Sequence, residues 1–438
     1  MDRLLDIDEV RATARRTGFM KRSSKLAPEH FLECLMFADL EHGQLSLQNS
    51  CDDMVIHNGI RVSKVALHKR FNQSSVEFVQ AVLSDQMLTR MDFADARDWS
   101  AFSAVIIADS CKFHLPKGFS EAYPPMGRFA AGNSLMNIQY ALDIKSGCWK
   151  TLDFTRATEN DQRYSGAHID RIGKGELHIR DLGYVTQSYL LGIARRQAYF
   201  LNRLHPSCRP VEAETGQYID WAKKYQAMAA AGQNISEVCV TIGKGDETVE
   251  CRLVAVPVPR AVWEERIRKA NVQAKRQGYA LTDEYKNRAR FSLFITNAGK
   301  DRLGTEMVAE LYRLRWQIEL MFKSWKSLFG IHKVKAVKKA RLECQLLAKL
   351  LRIVVNWKIY KCIDSIATQK FKNRSCSTWK VFKHLRVIAQ VIRKMARKEI
   401  SALKWYDQYI YPIIQSLLLE PKKGKKAAFQ ILNDIFKA

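Results

Sequence analysis

Through the first hundred residues, apolar side chains recur three and four positions apart in four stretches: APEHFLECLMFADL, SLQNSCDDMVIHNG, VSKVALHKRFN and SVEFVQAVLSDQML. That period predicts four helices joined by short turns. Near residue 100 the period shortens. FSAVIIADS is a continuous apolar run ending at Asp109-Ser110, the pattern of a buried strand closed by an acid. LMNIQYALDI and CWKTLDFT read as two further strands, joined through KSG as a hairpin. GELHIRDLGY predicts a strand whose apolar part stops at Asp181, SYLLGIARRQ a helix, and AYFLNRL another strand. Strands interleaved with helices make the expected class α/β.

Residues 206–290 differ in character. ISEVCVTIG and VECRLVAVPVP are strands around a KGD turn, followed by the charged helix AVWEERIRKANVQAKRQG. They read as a strand-rich insertion between strands of a core sheet, because RFSLFITN then resumes a buried strand. GTEMVAELYRLRWQIELMFKSWKSLFG is expected as one long helix, and basic helices run from there to the tail EPKKGKKAAFQILNDIFKA. The expected organisation is therefore a helical region at 1–100, a core in two parts at 101–205 and 291–345, the insertion at 206–290, and a basic helical region at 346–438.

Charge adds a partner to this outline. The 438 residues are 47% hydrophobic, enough for a sizeable core and several domains, yet they carry a formal net charge of +26. Such an excess points to a polyanion, with nucleic acid first, and the cations are interleaved with Trp, Tyr and Phe. A basic surface without a dedicated ligand is the plain alternative. The ten cysteines occur singly, without C-x-x-C or paired C…H spacing, and read as reduced thiols. MDRLLDIDEVRATARR contains no apolar signal core, and LLAKLLRIVVNWKIY is interrupted by Lys349 and Arg352. The expectation is a cytoplasmic protein that makes no use of a membrane.

Two of the N-terminal helices form a compact pair, with Asn58-Gly59 as the turn and Ser63 as the cap of KVALHKRF. The second carries Lys64, His68, Lys69 and Arg70, the pattern of a helix-turn-helix recognition element; plain helical packing fits the pair equally well.

Candidate chemistry centres on YRLRWQIELMFKSWK, where a single acid stands among bases. At about 100° per residue, Tyr312, Arg315, Glu319 and Lys326 fall on one narrow arc, while Leu314, Ile318, Met321, Trp325 and Leu328 form a separate apolar stripe. Glu319 beside cations suits a ligand for a hard divalent ion; a surface helix held by Glu–Lys and Glu–Arg pairs fits the same stretch. Asp109 and Asp181, each expected at the end of a buried strand and before a change of direction, are the companions. Three oxygen donors without a His or Cys cluster suit Mg²⁺, and two such ions would serve in-line phosphoryl transfer. Asp143 beside KSG and Asp153 in an alternating strand have simpler structural explanations, and His114, His168, His178 and His332 lack metal-ligand spacing. The segment from Lys323 to Lys349 holds eight Lys or Arg and one acid, as a phosphate-binding stretch would.

The spacing Y-x2-R-x3-E-x6-K at Tyr312, Arg315, Glu319 and Lys326, with D-S at Asp109 and D-L-G-Y at Asp181, resembles the signature of DDE transposases of bacterial insertion sequences, in the family called insertion sequence four. The resemblance covers roughly residues 100–335. It implies a ribonuclease H-like core in which Asp109, Asp181 and Glu319 bind two Mg²⁺ or Mn²⁺ ions. The activity implied is cleavage at transposon ends and strand transfer into target DNA. Tyr312, Arg315 and Lys326 would grip the DNA backbone near the cut end. Trp316 is the candidate to stack a flipped base, with Phe291 as a possible second aromatic. The implied partners are double-stranded DNA, as terminal inverted repeats and as target on the nucleoid, and a second subunit in a synaptic homodimer. A DNA-binding regulator without strand chemistry and a structure-specific nuclease on the same fold are the competing functions.

Overall fold

A computed structural model describes residues 6–42, 45–88, 101–126, 134–245, 247–371 and 374–420. The division expected near residue 100, the Asp of the KGD turn and the tail from residue 421 lie outside them.

The expected strands all form, and they build one sheet. Its members are β1 (Val105–Leu115), β2 (Ser134–Asp143), β3 (Trp149–Arg156), β4 (Leu177–Arg180), β5 (Tyr199–Arg203), β6 (Val211–Glu212), β7 (Ser236–Lys244), β8 (Glu247–Pro257) and β9 (Phe291–Thr296). The order across the sheet is β3-β2-β1-β4-β5-β9-β8-β7-β6. β1, β4 and β5 run parallel, and every other neighbouring pair is antiparallel. The hairpin of the insertion joins this sheet: β8 pairs with β9 from Arg252↔Thr296 to Pro257↔Phe291. Along β1, Val105 and Ile107 enter the large core on one face, while Ile106 and Ala108 pack on the other. Burial on both faces is what a continuous apolar run requires.

Two expectations are corrected. The strand expected to end at Asp109 continues to Leu115, because β2 pairs with it residue by residue from Ile106↔Asp143 to Leu115↔Ser134. Asp109 therefore stands in mid-strand, not at a change of direction. The stretch expected as one helix is two, Thr305–Arg313 and Trp316–Ser327, joined at Leu314-Arg315. Around the joint the amides of Leu314, Arg315, Gln317 and Ile318 bond to carbonyls three residues back, a local 3₁₀ tightening. An additional helix, Ile7–Arg16, is capped by Asp6. Its buried residues are Val10, Thr13 and Ala14, and its sequence marks are the acids Asp8 and Glu9 in the first turn and Arg15 and Arg16 in the last.

The helices at the two ends of the chain share a core. The 32-residue helix Lys339–Lys370 packs against Pro28–His42 and Gln73–Leu88. Among the described residues no helix is long and apolar enough to cross a membrane; this one buries Arg341, Arg352 and Lys358 instead. Arg352 Nη1 donates to Asp39 Oδ1 at 2.5 Å and to the Met36 carbonyl at 2.7 Å. Arg393 forms a two-pronged pair with Asp53, 2.8 Å at each contact, and also bonds to Glu33, which receives Arg397 as well. Asp53 is fully buried and belongs to the helix Leu47–Asn58. Removing one partner of such a pair strands the other charge in the core. Asp53→Ala should accordingly cost about 3–5 kcal/mol in urea unfolding; an unchanged unfolding midpoint would refute the anchoring role of the pair.

Candidate active site

Strand register brings two acids together. β1 and β4 are parallel, with Ile107 opposite Ile179 and Ala108 opposite Arg180, and β4 then stops. Side chains alternate along a strand, so Asp109 and Asp181, each two residues beyond a core isoleucine, face the same side of the sheet. The helix Trp316–Ser327 lies on that side. Its fully buried Trp325 stacks on Trp149 with ring centres 5.3 Å apart and meets Tyr140 edge-on at 5.0 Å. Glu319 lies on the same helix, six residues before this anchor.

The three acids converge on Arg315. Its Nη2 lies 2.6 Å from Glu319 Oε1, Nη1 3.2 Å from Asp109 Oδ2, and Nε 3.9 Å from Asp181 Oδ1. The arginine side chain is 16% exposed and that of Asp109 20%, whereas Asp181 and Glu319 are open to solvent by 48% and 43%. Burial pushes the Asp109 carboxyl up to about 6. The Ser110 amide, 2.8 Å away, and Arg315 pull it back; the charges of Asp181 and Asp161 add to the rise. Burial also acts against the Arg315 charge, but the bond to Glu319 and the field of Asp181 outweigh it and leave the guanidinium more basic than usual. Carboxylates gathered around one cation form a donor set of hard oxygens, which fits a divalent ion such as Mg²⁺ or Mn²⁺. Among the described residues no three acids stand in metal-ligand geometry, and Arg315 is the cation they share.

The other expected residues are placed unequally. Lys326 Nζ donates to the Lys112 carbonyl at 3.2 Å, on β1 three residues past Asp109. Tyr312 is buried, with its ring 5.3 Å from Phe294 and its hydroxyl enclosed without a hydrogen-bond partner; burial raises the pKa of that phenol. Trp316 is 54% exposed, whereas Phe291 is buried against Trp221 and Tyr225. Asp143 caps its turn, accepting from the amides of Val105 and Lys145 and from Ser146 Oγ, and Asp153 accepts from Tyr164 and Arg171. His178 is buried and bonded to Glu176, and His168 to the Tyr164 carbonyl. In the helix pair, Lys64, His68 and Lys69 are exposed. Arg70 is occupied within the protein: it donates to Ser24 Oγ at 2.6 Å and lies over the Phe19 ring.

One acid near the site has no sequence signal. Asp161 opens the short helix Asp161–Ala167 behind the cap Asn160, which reads as an ordinary first-turn acid. Its Oδ1 accepts from Gln139 Nε2 at 3.0 Å, and Gln139 Oε1 accepts from the Tyr184 hydroxyl at 2.9 Å. Gln139 lies opposite Ser110 in the β1–β2 register. The D-L-G-Y segment is thereby tied through β2 to the strand that carries Asp109.

Comparison with known proteins identifies the family. The family described as the transposase DDE domain matches residues 100–355, more than half of the chain and the whole stretch that supplies the three acids. The chain belongs to the DDE transposases. Relatives extend the similarity beyond that domain. The chain is 26% identical over 402 residues to the transposase for insertion sequence element IS231B of Bacillus thuringiensis subsp. berliner, covering 87% of this chain and 84% of the relative. It is 26% identical over 457 residues to the IS231F transposase of Bacillus thuringiensis subsp. israelensis, covering 100% and 94%. With the transposase for IS1151 of Clostridium perfringens it shares 27% over 459 residues, covering 98% and 94%. The protein is thus a transposase, an enzyme that cleaves DNA and transfers strands.

The raised Asp109 pKa sets a pH dependence for the metal-free transposase. In the unfolded chain this carboxyl ionises near its ordinary value of 3.8, and in the folded protein near 6. Between these values the folded state holds the extra proton, so stability falls as pH rises through the window. The loss from this group should be about 3 kcal/mol, absent below pH 4 and complete above pH 6. Urea unfolding at a series of pH values should resolve it, and Asp109→Asn should flatten that part of the curve.

Proposed function

We propose that this transposase cuts the ends of its own mobile element and joins them to target DNA at a site built from Asp109, Asp181 and Glu319. The observation that carries the reading is the convergence of these carboxylates on Arg315 across β1, the end of β4 and the helix Trp316–Ser327. The spacing of Tyr312, Arg315, Glu319 and Lys326 supports membership of the insertion sequence four group. The order β3-β2-β1-β4-β5, with β1, β4 and β5 parallel, supports a ribonuclease H-like core extended by the insertion. The expected domain limits at 100, 205, 290 and 345 belong to this proposal.

Asp109, Asp181 and Glu319 would hold two Mg²⁺ or Mn²⁺ ions. Such ions, when bound, supply activation of the attacking oxygen and neutralisation of the leaving one. Arg315 balances the three acids and, with DNA present, is the cation nearest to hand for the scissile strand's phosphates. Lys326, held against β1, contributes a second positive charge on the same side. Tyr312 shapes the wall behind Arg315 from its buried position, and exposed Trp316 is available for a displaced base. Lys64, His68 and Lys69 face the terminal repeat, with Arg70 bracing their helix. A homodimer holding two element ends, in the cytoplasm on nucleoid DNA, completes the proposal.

Purified protein with Mg²⁺ should nick duplexes carrying the ends of the element that encodes it, and EDTA should stop the reaction. Asp109→Asn, Asp181→Asn and Glu319→Gln should each lower cleavage by more than about a hundredfold, beyond the loss typical of residues that only support a metal ligand. Binding to the same duplex in EDTA should persist. Normal cleavage by Asp181→Asn would remove that residue from the site.

A further inference from the structure

We propose that Val65 reads the methyl group of a thymine in the terminal repeat. The inference rests on the proposal that the helix Lys64–Arg70 faces DNA. That helix is fixed by caps at both joints: Ser63 Oγ accepts from the Ala66 amide at 3.2 Å, and Gly59, at φ 68°, ends the preceding helix in the left-handed conformation. Leu67 is the helix's one buried residue, 1% exposed, and it points into the core. At about 100° per residue, Val65 lies about 160° from Leu67 and so projects almost directly outward. Val65 is 65% exposed. On the same wheel Lys69 lies about 40° to one side of it, His68 about 60° and Lys64 about 100° to the other; all three are exposed, as is Arg61 just before the helix. From Gly59 to Asn72 the chain has no acid.

A branched aliphatic group at the centre of a cationic arc needs a partner that offers anionic flanks and an apolar point. A membrane or an apolar protein surface would call for several aliphatic residues on the arc, and Val65 is the only large one. The DNA major groove supplies both parts, because phosphates border it and thymine presents a 5-methyl group inside it. Val65 acts here as a specificity-determining residue and the lysines as sequence-independent contacts.

The test compares two duplexes of the element end, identical except that thymine is replaced throughout by deoxyuridine, in binding assays with the full chain in EDTA. Wild type should bind the uracil duplex about four- to tenfold more weakly for each methyl contacted, the scale of one buried methyl group. Val65→Ala should melt like wild type and bind both duplexes equally, whereas Ile56→Ala, at another exposed aliphatic residue of the helix pair, should keep the discrimination. Equal binding of both duplexes by wild type, or discrimination surviving in Val65→Ala, would overturn the assignment. Lys64→Ala and Lys69→Ala separate this failure from that of the underlying reading. If each weakens both duplexes and lowers the salt slope by about one, the helix faces DNA whatever Val65 does. If neither changes binding, the recognition helix and the Val65 assignment fall together.

Discussion

Three carboxylates cannot be brought together in a partly buried cleft without a cation among them. Two like charges about 4 Å apart repel by roughly 4 kcal/mol near a protein surface, and a third adds to the cost. Arg315 answers that constraint, touching Glu319, Asp109 and, at longer range, Asp181. Everything that places this guanidinium serves the site: the parallel β1–β4 register, the early stop of β4, and the joint that breaks the signature helix immediately before Trp316. The same charge balance explains why the Asp109 carboxyl sits above the usual carboxylate range. It is the most deeply buried of the three, and desolvation prevails over the attraction of Arg315.

Much of this was legible in the pattern of residues. β4 and β5 are short apolar runs bounded by turn residues, and Asp181 follows the first of them as expected. The apolar stripe Leu314, Ile318, Met321 and Trp325 does face the core. What was not read was pairing. β1 outlasts its continuous apolar run because the hairpin partner β2 sustains its hydrogen bonds to Leu115. The alternation of Ser110, Lys112 and His114 with buried Cys111, Phe113 and Leu115 is the period-two signal of that extension, overlooked beside the apolar run. The break at Leu314-Arg315 is silent, since neither glycine nor proline marks it and each flanking turn keeps helical periodicity. A wheel drawn through the break therefore puts Tyr312 on the same arc as Glu319, whereas the folded chain buries it against Phe294. Asp161 was hidden for the opposite reason. Its local role as a first-turn acid is sufficient to explain it, and only the Gln139 and Tyr184 contacts connect it to the site.

The buried charges outside the site follow a different logic from those within it. Arg393 with Asp53, and Arg352 with Asp39, are closed pairs, satisfied by partners from helices far apart in sequence. Such pairs add little net stability over apolar packing, but they penalise any arrangement that separates them. They therefore select one docking of the N-terminal helices on the C-terminal ones. Because Asp53 lies on the helix that precedes Gly59 and the exposed basic helix, that selection also fixes the direction in which Lys64, Val65 and Lys69 point. The Arg315 cluster, by contrast, is left open: Asp181 and Glu319 remain nearly half exposed and accessible to incoming cations. An enzyme that must hold DNA at one place and cut it at another needs both kinds of electrostatics. The closed pairs hold the exposed basic helix in place, and under the proposed function the open cluster would let its acids exchange a guanidinium for a metal ion.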